Sequence, residues 1–145
     1  MKIAICASVA FTGKIKEIAD ELTGLGHEVE IPFSAKKILD GEISLGDFLK
    51  IKDREGDAQF RNSASEDLIK RYYNIINNSD AILVINIEKN GIKNYIGGSV
   101  LMEMGFAHVL EKKIYLLNPV PDSSYRDEII AVRPVIINND LNQIK

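Results

Sequence analysis

The chain has 145 residues, of which 46% are hydrophobic and 27% charged, and its formal net charge at pH 7 is -3. That length suits one domain with a substantial core, and the acidic balance argues against a basic nucleic-acid-binding surface. The single cysteine, Cys6, excludes an internal disulfide, and the apolar start is too short for a signal peptide or a membrane-spanning helix. We therefore expect one cytoplasmic domain over residues 1–145, with no nucleic-acid or membrane partner.

The beginning of the chain has the pattern of a strand, a helix and a second strand. Residues 3–7 form a continuous apolar run, which is typical of a strand buried on both faces of a parallel sheet. Apolar residues then recur at helical spacing: Ile15, Ile18, Ala19, Leu22 and Leu25. Gly24 and Gly26 predict the end of that helix, and residues 28–31 alternate up to Pro32, which favours a second strand.

Residues 34–65 have the weakest pattern. The segment is charged, contains Gly41, Gly46 and Gly56, and shows helical spacing only around residues 36–39 and 45–51. Connections longer than ~12–15 residues without secondary structure are uncommon in compact domains and are often functional. The segment is either a lid or partner-facing excursion or an ordinary solvated connection, and the sequence leaves both open.

The rest of the chain alternates helices and strands. Spacing predicts helices over residues 68–76, 100–111 and 125–130, and strands over residues 81–85, 114–117 and 135–137. Strands that alternate with helices predict an α/β fold, a flavodoxin-like or Rossmann-like three-layer sandwich with strand order 2-1-3-4-5. Such sheets bind ligands at the carboxyl ends of the strands beside the switch in strand order, so residues 7–13 and 86–99 are the predicted site loops.

The first loop, residues 7–13, carries small residues and hydroxyl groups that lead into a helix, and it contains Ser8 and Phe11. Backbone N–H groups in such a turn can cradle an anion. The loop has neither the spacing of a Walker A motif nor that of a dinucleotide fingerprint. The alternative is a plain tight turn in which Ser8 or Thr12 caps the helix.

The second loop runs through Gly97-Gly98-Ser99 into a helix that carries Glu103 within an otherwise apolar stretch. Paired glycines allow a ligand to approach the backbone closely. A carboxylate among apolar residues is costly to desolvate unless it is paired or functional. Glu103 is therefore either a chemically active group at the mouth of a pocket or an acid stabilised by the helix dipole.

Two further residues of this loop have two interpretations each. Asn86, at the end of the third strand, is either a contact for a ribose or base or a polar strand terminator. Ser99 is either a phosphate contact or a helix N-cap. His27 and His108 are isolated, so we predict no metal site, and we expect Cys6 to be a small buried hydrophobic residue.

Residues 94–107, Asn-Tyr-Ile-Gly-Gly-Ser-Val-Leu-Met-Glu-Met-Gly-Phe-Ala, resemble the nucleoside 2-deoxyribosyltransferase superfamily, which includes the 2'-deoxynucleoside 5'-phosphate N-hydrolases. The shared features are a glycine-containing loop and a helix bearing Glu-x-Gly-x-Ala, matched by Glu103, Gly105 and Ala107. The similarity extends to other positions: Ser8, Phe11, Ser79, Asp80 and residues 116–119. Asp80 itself we expect to end local structure at the base of the third strand, away from the ligand.

The resemblance implies a retaining double displacement at the anomeric carbon of a nucleoside or its 5'-monophosphate. Glu103 would attack C1', expel the base and form a glycosyl ester, which a second base or water would then resolve. Ser8, Phe11, Asn86, Gly98 and Ser99 would contact the substrate. The resemblance also implies a homo-oligomer. Nothing in the sequence suggests a metal or organic cofactor.

Two positions differ from the family. Transferases of this family carry aspartates where this chain has Gly97, six residues before Glu103, and Tyr72, on the preceding helix. These differences favour an alternative in which the protein is a nucleotide-binding or sensor module without turnover. A third interpretation is an assembly protein that uses residues 34–65 as its contact surface.

Overall fold

A computed structural model describes residues 1–52 and 64–145. This part of the chain contains five strands and, besides the helical residues 45–52, five α-helices. The strands are β1 Lys2–Cys6, β2 Glu28–Glu30, β3 Ala81–Val84, β4 Lys113–Leu116 and β5 Val135–Ile136. The helices are α1 Thr12–Gly24, α2 Phe33–Leu39, α3 Ala64–Asn77, α4 Gly98–Val109 and α5 Arg126–Ala131. Every strand pairing is parallel and the order is β2-β1-β3-β4-β5, which confirms the predicted flavodoxin-like fold.

The two faces of the sheet carry separate cores. In β1, Ile3 and Ile5 belong to one core and Ala4 and Cys6 to the other, because successive side chains of a strand point to opposite faces. The first core packs against α1, and the second packs against α3, α4 and α5. Full burial of an aliphatic side chain contributes roughly 1.5–3 kcal/mol. Because β1 and β3 bury apolar side chains on both faces, this burial stabilises them as inner strands of the sheet.

Asp80 joins the amino ends of the two central strands. Its carboxylate accepts a hydrogen bond from the backbone N–H of Lys2 at 2.7 Å, and its own N–H donates to the Lys2 carbonyl at 2.8 Å. These bonds confirm that Asp80 organises the base of the third strand, at the opposite edge from the carboxyl ends of the strands.

The segment with the weakest sequence pattern is more helical than predicted. Helix α2 begins directly after Pro32, and residues 45–52 are also helical. Residues 53–63 lie outside the described residues, and so does part of the predicted lid or contact surface over residues 34–65. The assignment of residues 1–145 to one domain stays a prediction. In the described parts of the chain, no helix is both long and apolar enough to span a membrane.

Candidate functional site

The carboxyl ends of the central strands lie level with one another. Cys6 of β1 pairs with Val84 of β3, and Val84 pairs with Leu116 of β4. In sheets of this kind, ligands bind at this edge, beside the strands between which the order reverses. The reversal here falls between β1 and β3. The candidate site therefore lies around Cys6 and the loops that follow these two strands.

Asn86 ties the loops of this edge together. It is fully buried, its amide N–H groups donate to the carbonyls of Asn118 at 3.1 Å and Pro119 at 3.0 Å, and its Oδ1 accepts from the Asn118 N–H at 2.8 Å. The Asn118 amide donates back to the Asn86 carbonyl at 3.0 Å, and Asn139 donates to Asn118 Oδ1 at 2.6 Å. Asn86 thus holds the loops after β3 and β4 together, and Asn118 links them to the loop after β5. This placement of Asn86 does not support its predicted contact with a ribose or base.

Glu103 lies on the buried stripe of α4. Val100, Met104 and Ala107 are buried there and recur at positions i, i+4 and i+7, and residue 103 falls at i+3 of the same stripe. The side chain of Glu103 is half-buried, whereas the adjacent Met102 is 40% exposed. The helix therefore directs a carboxyl group toward the sheet, as the apolar setting in the sequence indicated.

Two side chains from neighbouring elements lie beside this carboxyl group. The thiol of Cys6, fully buried at the end of β1, is close enough to the Glu103 carboxyl group to lower its pKa. The hydroxyl of Tyr72, on α3, donates to the carbonyl of Ile5. Burial raises the pKa of Tyr72 well above its usual range, and the nearby charges of Cys6 and Glu103 raise it further. The burial of Cys6 confirms its prediction as a core residue. Its contact with Glu103 was missed, because no local pattern relates a strand end to a distant helix.

Burial controls the protonation of this cluster. It raises the pKa of Glu103 to about 7, although the neighbouring Cys6 thiol acts in the opposite direction. Burial, followed by the charge of Glu103, raises the pKa of the Cys6 thiol well above its usual range, so the thiol keeps its proton and acts as a donor. A carboxyl group that titrates near neutrality can act as a nucleophile or as an acid–base group at physiological pH.

A tyrosine stands at one of the two positions at which the family that this chain resembles has aspartates, and another tyrosine packs beside the second position. Tyr72 stands at the first position and is buried. At the other, a Cβ atom on Gly97 would lie 3.1 Å from the hydroxyl oxygen of Tyr95, which is tighter than an ordinary contact. Gly97 is therefore the residue that allows Tyr95 to pack across the start of α4.

The first turn of α4 is open to solvent. Gly97 is the helix N-cap, in an extended conformation with φ -85 and ψ 172, and it supplies no side-chain hydrogen bond to the turn. The alternative that Ser99 is the N-cap is therefore wrong. Gly98 and Ser99 are both exposed in the first helical turn, whose backbone N–H groups have no partner within the helix. Their contact with a substrate phosphate stays a prediction.

Ser8 and Phe11 lie in different surroundings. Ser8 caps the 3-10 turn Val9–Phe11, where its Oγ accepts from the Ala10 N–H at 3.4 Å and from the Lys89 ammonium at 3.0 Å. Phe11 is only 6% exposed and belongs to the core that packs on α1, so its placement supports packing and not the predicted substrate contact. Lys89, which the sequence analysis missed, connects the two predicted site loops.

No group of three His, Cys, Asp or Glu residues is arranged to hold a metal ion within residues 1–52 and 64–145. The ring of His27 lies 3.3 Å from the N-terminal amine of Met1, and His108 is exposed in the last turn of α4.

Comparison with known proteins supports the architecture. No family model and no curated protein matches the chain. Among solved structures, the chain is similar to a 2-deoxyribosyltransferase from the psychrotolerant bacterium Bacillus psychrosaccharolyticus, with a TM-score of 0.50 and 16% sequence identity. The similarity covers 82% of this chain and 73% of that chain. The resemblance to the 2-deoxyribosyltransferases noted in the sequence is thus confirmed at the level of the fold.

Proposed function

We propose that this protein cleaves or exchanges the N-glycosidic bond of a nucleoside or nucleoside 5'-monophosphate, with Glu103 as the nucleophile. The observation that carries the proposal is the half-buried Glu103 carboxyl group at the carboxyl end of β1, whose pKa burial raises to about 7. The similarity in fold to a 2-deoxyribosyltransferase, described as a biocatalyst for nucleoside synthesis, supports the class of substrate.

The reaction follows from the chemistry of a buried carboxylate. Ionised Glu103 attacks C1' of the sugar, the bond from C1' to the base nitrogen breaks, and the departing base takes the bonding electrons and then a proton from water. Partial positive charge develops on the sugar in the transition state, and a preorganised anion stabilises it. A second base or a water molecule then attacks C1' and releases the carboxylate.

Cys6 has a positioning role in this proposal. Its buried thiol is close enough to lower the pKa of Glu103, and in this proposal it orients the carboxylate for attack. The apolar surroundings make the free anion costly, so formation of the neutral glycosyl ester relieves that cost. That relief favours attack by the Glu103 carboxylate on C1'.

The alternative function is nucleotide binding without turnover. It is favoured by Tyr72, whose hydroxyl is bonded to the carbonyl of Ile5, and by Gly97, which has no side chain to offer. A site with only one carboxyl group in these positions would hold a ligand but lack the groups that assist departure of the base.

Release of free base from a panel of nucleosides and 5'-monophosphates, with and without a second base, tests the proposal. Glu103→Gln is expected to lower the rate by about 10³-fold or more, because it removes the attacking group while keeping the shape of the side chain. Glu21→Gln, on the exposed face of α1, is the matched control and should retain full activity.

The outcomes separate the two functions. Release that depends on a second base identifies a transferase, and release without one identifies a hydrolase. A wild-type protein that binds members of the panel in a thermal-shift assay but releases no base is the binding module. A protein that neither binds nor cleaves any member contradicts both.

We also infer that the protein self-associates through α3 and α4. Ile69 and Tyr73 on α3 and Met102 and Val109 on α4 are exposed, and Val109 is 81% exposed. Tyr73 meets Phe106 of α4 edge to face at 5.4 Å, so the two helices share one apolar surface. Contiguous exposed apolar surface of this kind is typical of an interface.

Light scattering across a range of protein concentrations tests this surface. Val109→Asp is expected to shift the wild-type oligomer to the monomer. Ile130→Asp, an exposed apolar position on α5, is expected to leave the mass unchanged. A monomeric wild type at every concentration would rule out self-association.

A further inference from the structure

A cavity of about 360 Å³ lies at the same edge of the sheet as Glu103, and Glu103 is not among the described residues that line it. The described residues that line it come from three segments, namely the turn after β1, the helical residues 45–52 and the loop after β3: Ala10, Leu49, Lys52, Lys89 and Asn90. Two of these five residues are lysines and none is acidic, although the whole chain carries a net charge of -3.

The backbone around Lys89 is a tight hairpin. Lys89 and Ile92 form an antiparallel bridge, with N–H to carbonyl distances of 3.0 and 2.9 Å between them. The two residues between, Asn90 and Gly91, have φ values of 51 and 79. Two consecutive positive φ angles at Asn-Gly are the mark of a type I' turn, which favours these residue types. The position of Lys89 is therefore set by the backbone and not by a loose loop.

The Lys89 side chain is also held in place. Its ammonium donates to Ser8 Oγ at 3.0 Å and lies 4.8 Å from the centre of the Tyr95 ring. Among residues 1–52 and 64–145, no carboxylate lies within 4.0 Å of it. An ammonium has three donors, of which Ser8 takes one. The group is thus a positioned cation that lines the cavity, and Ser8 occupies only one of its three donors.

We propose that this cavity is an oxyanion subsite that takes the phosphoryl group of a phosphorylated small molecule between Lys89 and Lys52. A compact ammonium is a common phosphate partner, and hydrogen bonds between charged groups are about twice as strong as neutral ones. The hydroxyl of Ser8 and the ring of Tyr95 fix Lys89 before the ligand arrives, which lowers the entropy cost of binding. The proposal concerns binding alone and does not depend on glycosidic cleavage.

Calorimetric titration at low ionic strength tests the subsite, with inorganic phosphate, pyrophosphate, adenosine, AMP and ADP as probes. Lys89→Gln is expected to weaken binding of the phosphorylated probes by about tenfold or more, since it removes a charge-assisted hydrogen bond. Lys52→Gln should weaken it by several-fold, and Lys89→Arg should keep most of the affinity. Lys93→Gln, an exposed position beside the same hairpin, is the matched control and should bind like the wild type.

The probes distinguish the sources of the anion. Binding of AMP or ADP that exceeds that of both adenosine and inorganic phosphate supports a nucleotide ligand, and binding of phosphate or pyrophosphate alone supports a free oxyanion. Either result supports the subsite if Lys89→Gln removes it. Equal binding by the wild type and Lys89→Gln, or no binding of any phosphorylated probe, overturns the proposal. The titration measures binding alone, so failure of the proposed reaction leaves this test intact.

Discussion

At the carboxyl edge of the sheet, one side half-buries a carboxyl group, whereas the other side positions an ammonium group. On the side of α3 and α4, Glu103 is half-buried against the thiol of Cys6, and burial raises its pKa to about 7. On the other side, Lys89 lies between the hydroxyl of Ser8 and the ring of Tyr95, both of which favour a cation.

The difference indicates a division of roles within one edge. A carboxyl group that titrates near neutrality is suited to gaining and losing a proton or a covalent bond. A lysine that is positioned by a tight turn is suited to binding an anionic group of a ligand. The comparison therefore separates a reactive position from a binding position, and each of the following predictions tests one part of it.

The largest expected effect is the pH dependence of turnover. Attack requires the ionised form of Glu103, whose pKa is raised to about 7, so the rate should fall about tenfold for each pH unit below that value and level off above it. Initial rates of base release between about pH 5 and pH 9 measure this. Lys89→Gln should show the same pH profile at saturating substrate. A rate independent of pH across this range would contradict the assignment of Glu103.

The next effect concerns Asn86, whose amide joins the loop after β3 to the loop after β4. Asn86→Ala removes three hydrogen bonds and leaves the N–H of Asn118 and two carbonyls without their partner. We expect a loss of about 2–4 kcal/mol in the free energy of unfolding, measured by urea denaturation. Asn74→Ala, at an exposed position on α3, is the control and should change it by less than about 0.5 kcal/mol. A small effect at Asn86 would mean that the loops are held by other contacts.

The smallest expected effect is a gain in stability. Because the pKa of Glu103 is higher in the folded state than the ordinary value of 4.5, the folded protein binds this proton more tightly. Wild-type stability is therefore lost as pH rises from about 4.5 to about 7, and the loss is complete above 7. Glu103→Gln should accordingly be more stable than the wild type by up to about 2 kcal/mol at about pH 8, and nearly equal to it at about pH 5.

Urea denaturation of both proteins at the two pH values measures that gain, with Glu21→Gln as the exposed control. An excess stability of Glu103→Gln that is the same at both pH values would show that packing, and not ionisation, is responsible. A gain in stability combined with a loss of activity is the pattern expected of a functional group held in an unfavourable environment.

Several features of the site were predicted from local pattern. The apolar setting of Glu103 indicated a carboxyl group that is costly to desolvate, and the fold confirmed its burial. Phe11 and Asn86 were predicted as ligand contacts because they lie in the site loops, yet both are buried within the protein. A position in a loop does not reveal whether a side chain points to solvent or to a neighbouring loop, and that orientation decides its role.

The residues that the sequence analysis missed are those whose partners lie far along the chain. Ser8 and Lys89 are 81 positions apart and meet only because β1 and β3 pair in parallel. One local signal was present, since Asn90-Gly91 is typical of a tight hairpin turn. That signal predicts the turn but not the hydroxyl group that its lysine meets.

The sequence by itself determined the order of helices and strands, the parallel sheet and the strand order. Apolar periodicity records which faces are buried, and the rules of chain connection then leave few topologies. Only the tertiary structure decided the pKa of Glu103, the network around Asn86 and the placement of Lys89. Desolvation and hydrogen bonding depend on what lies within a few ångströms in space, and those neighbours come from separate elements of the chain.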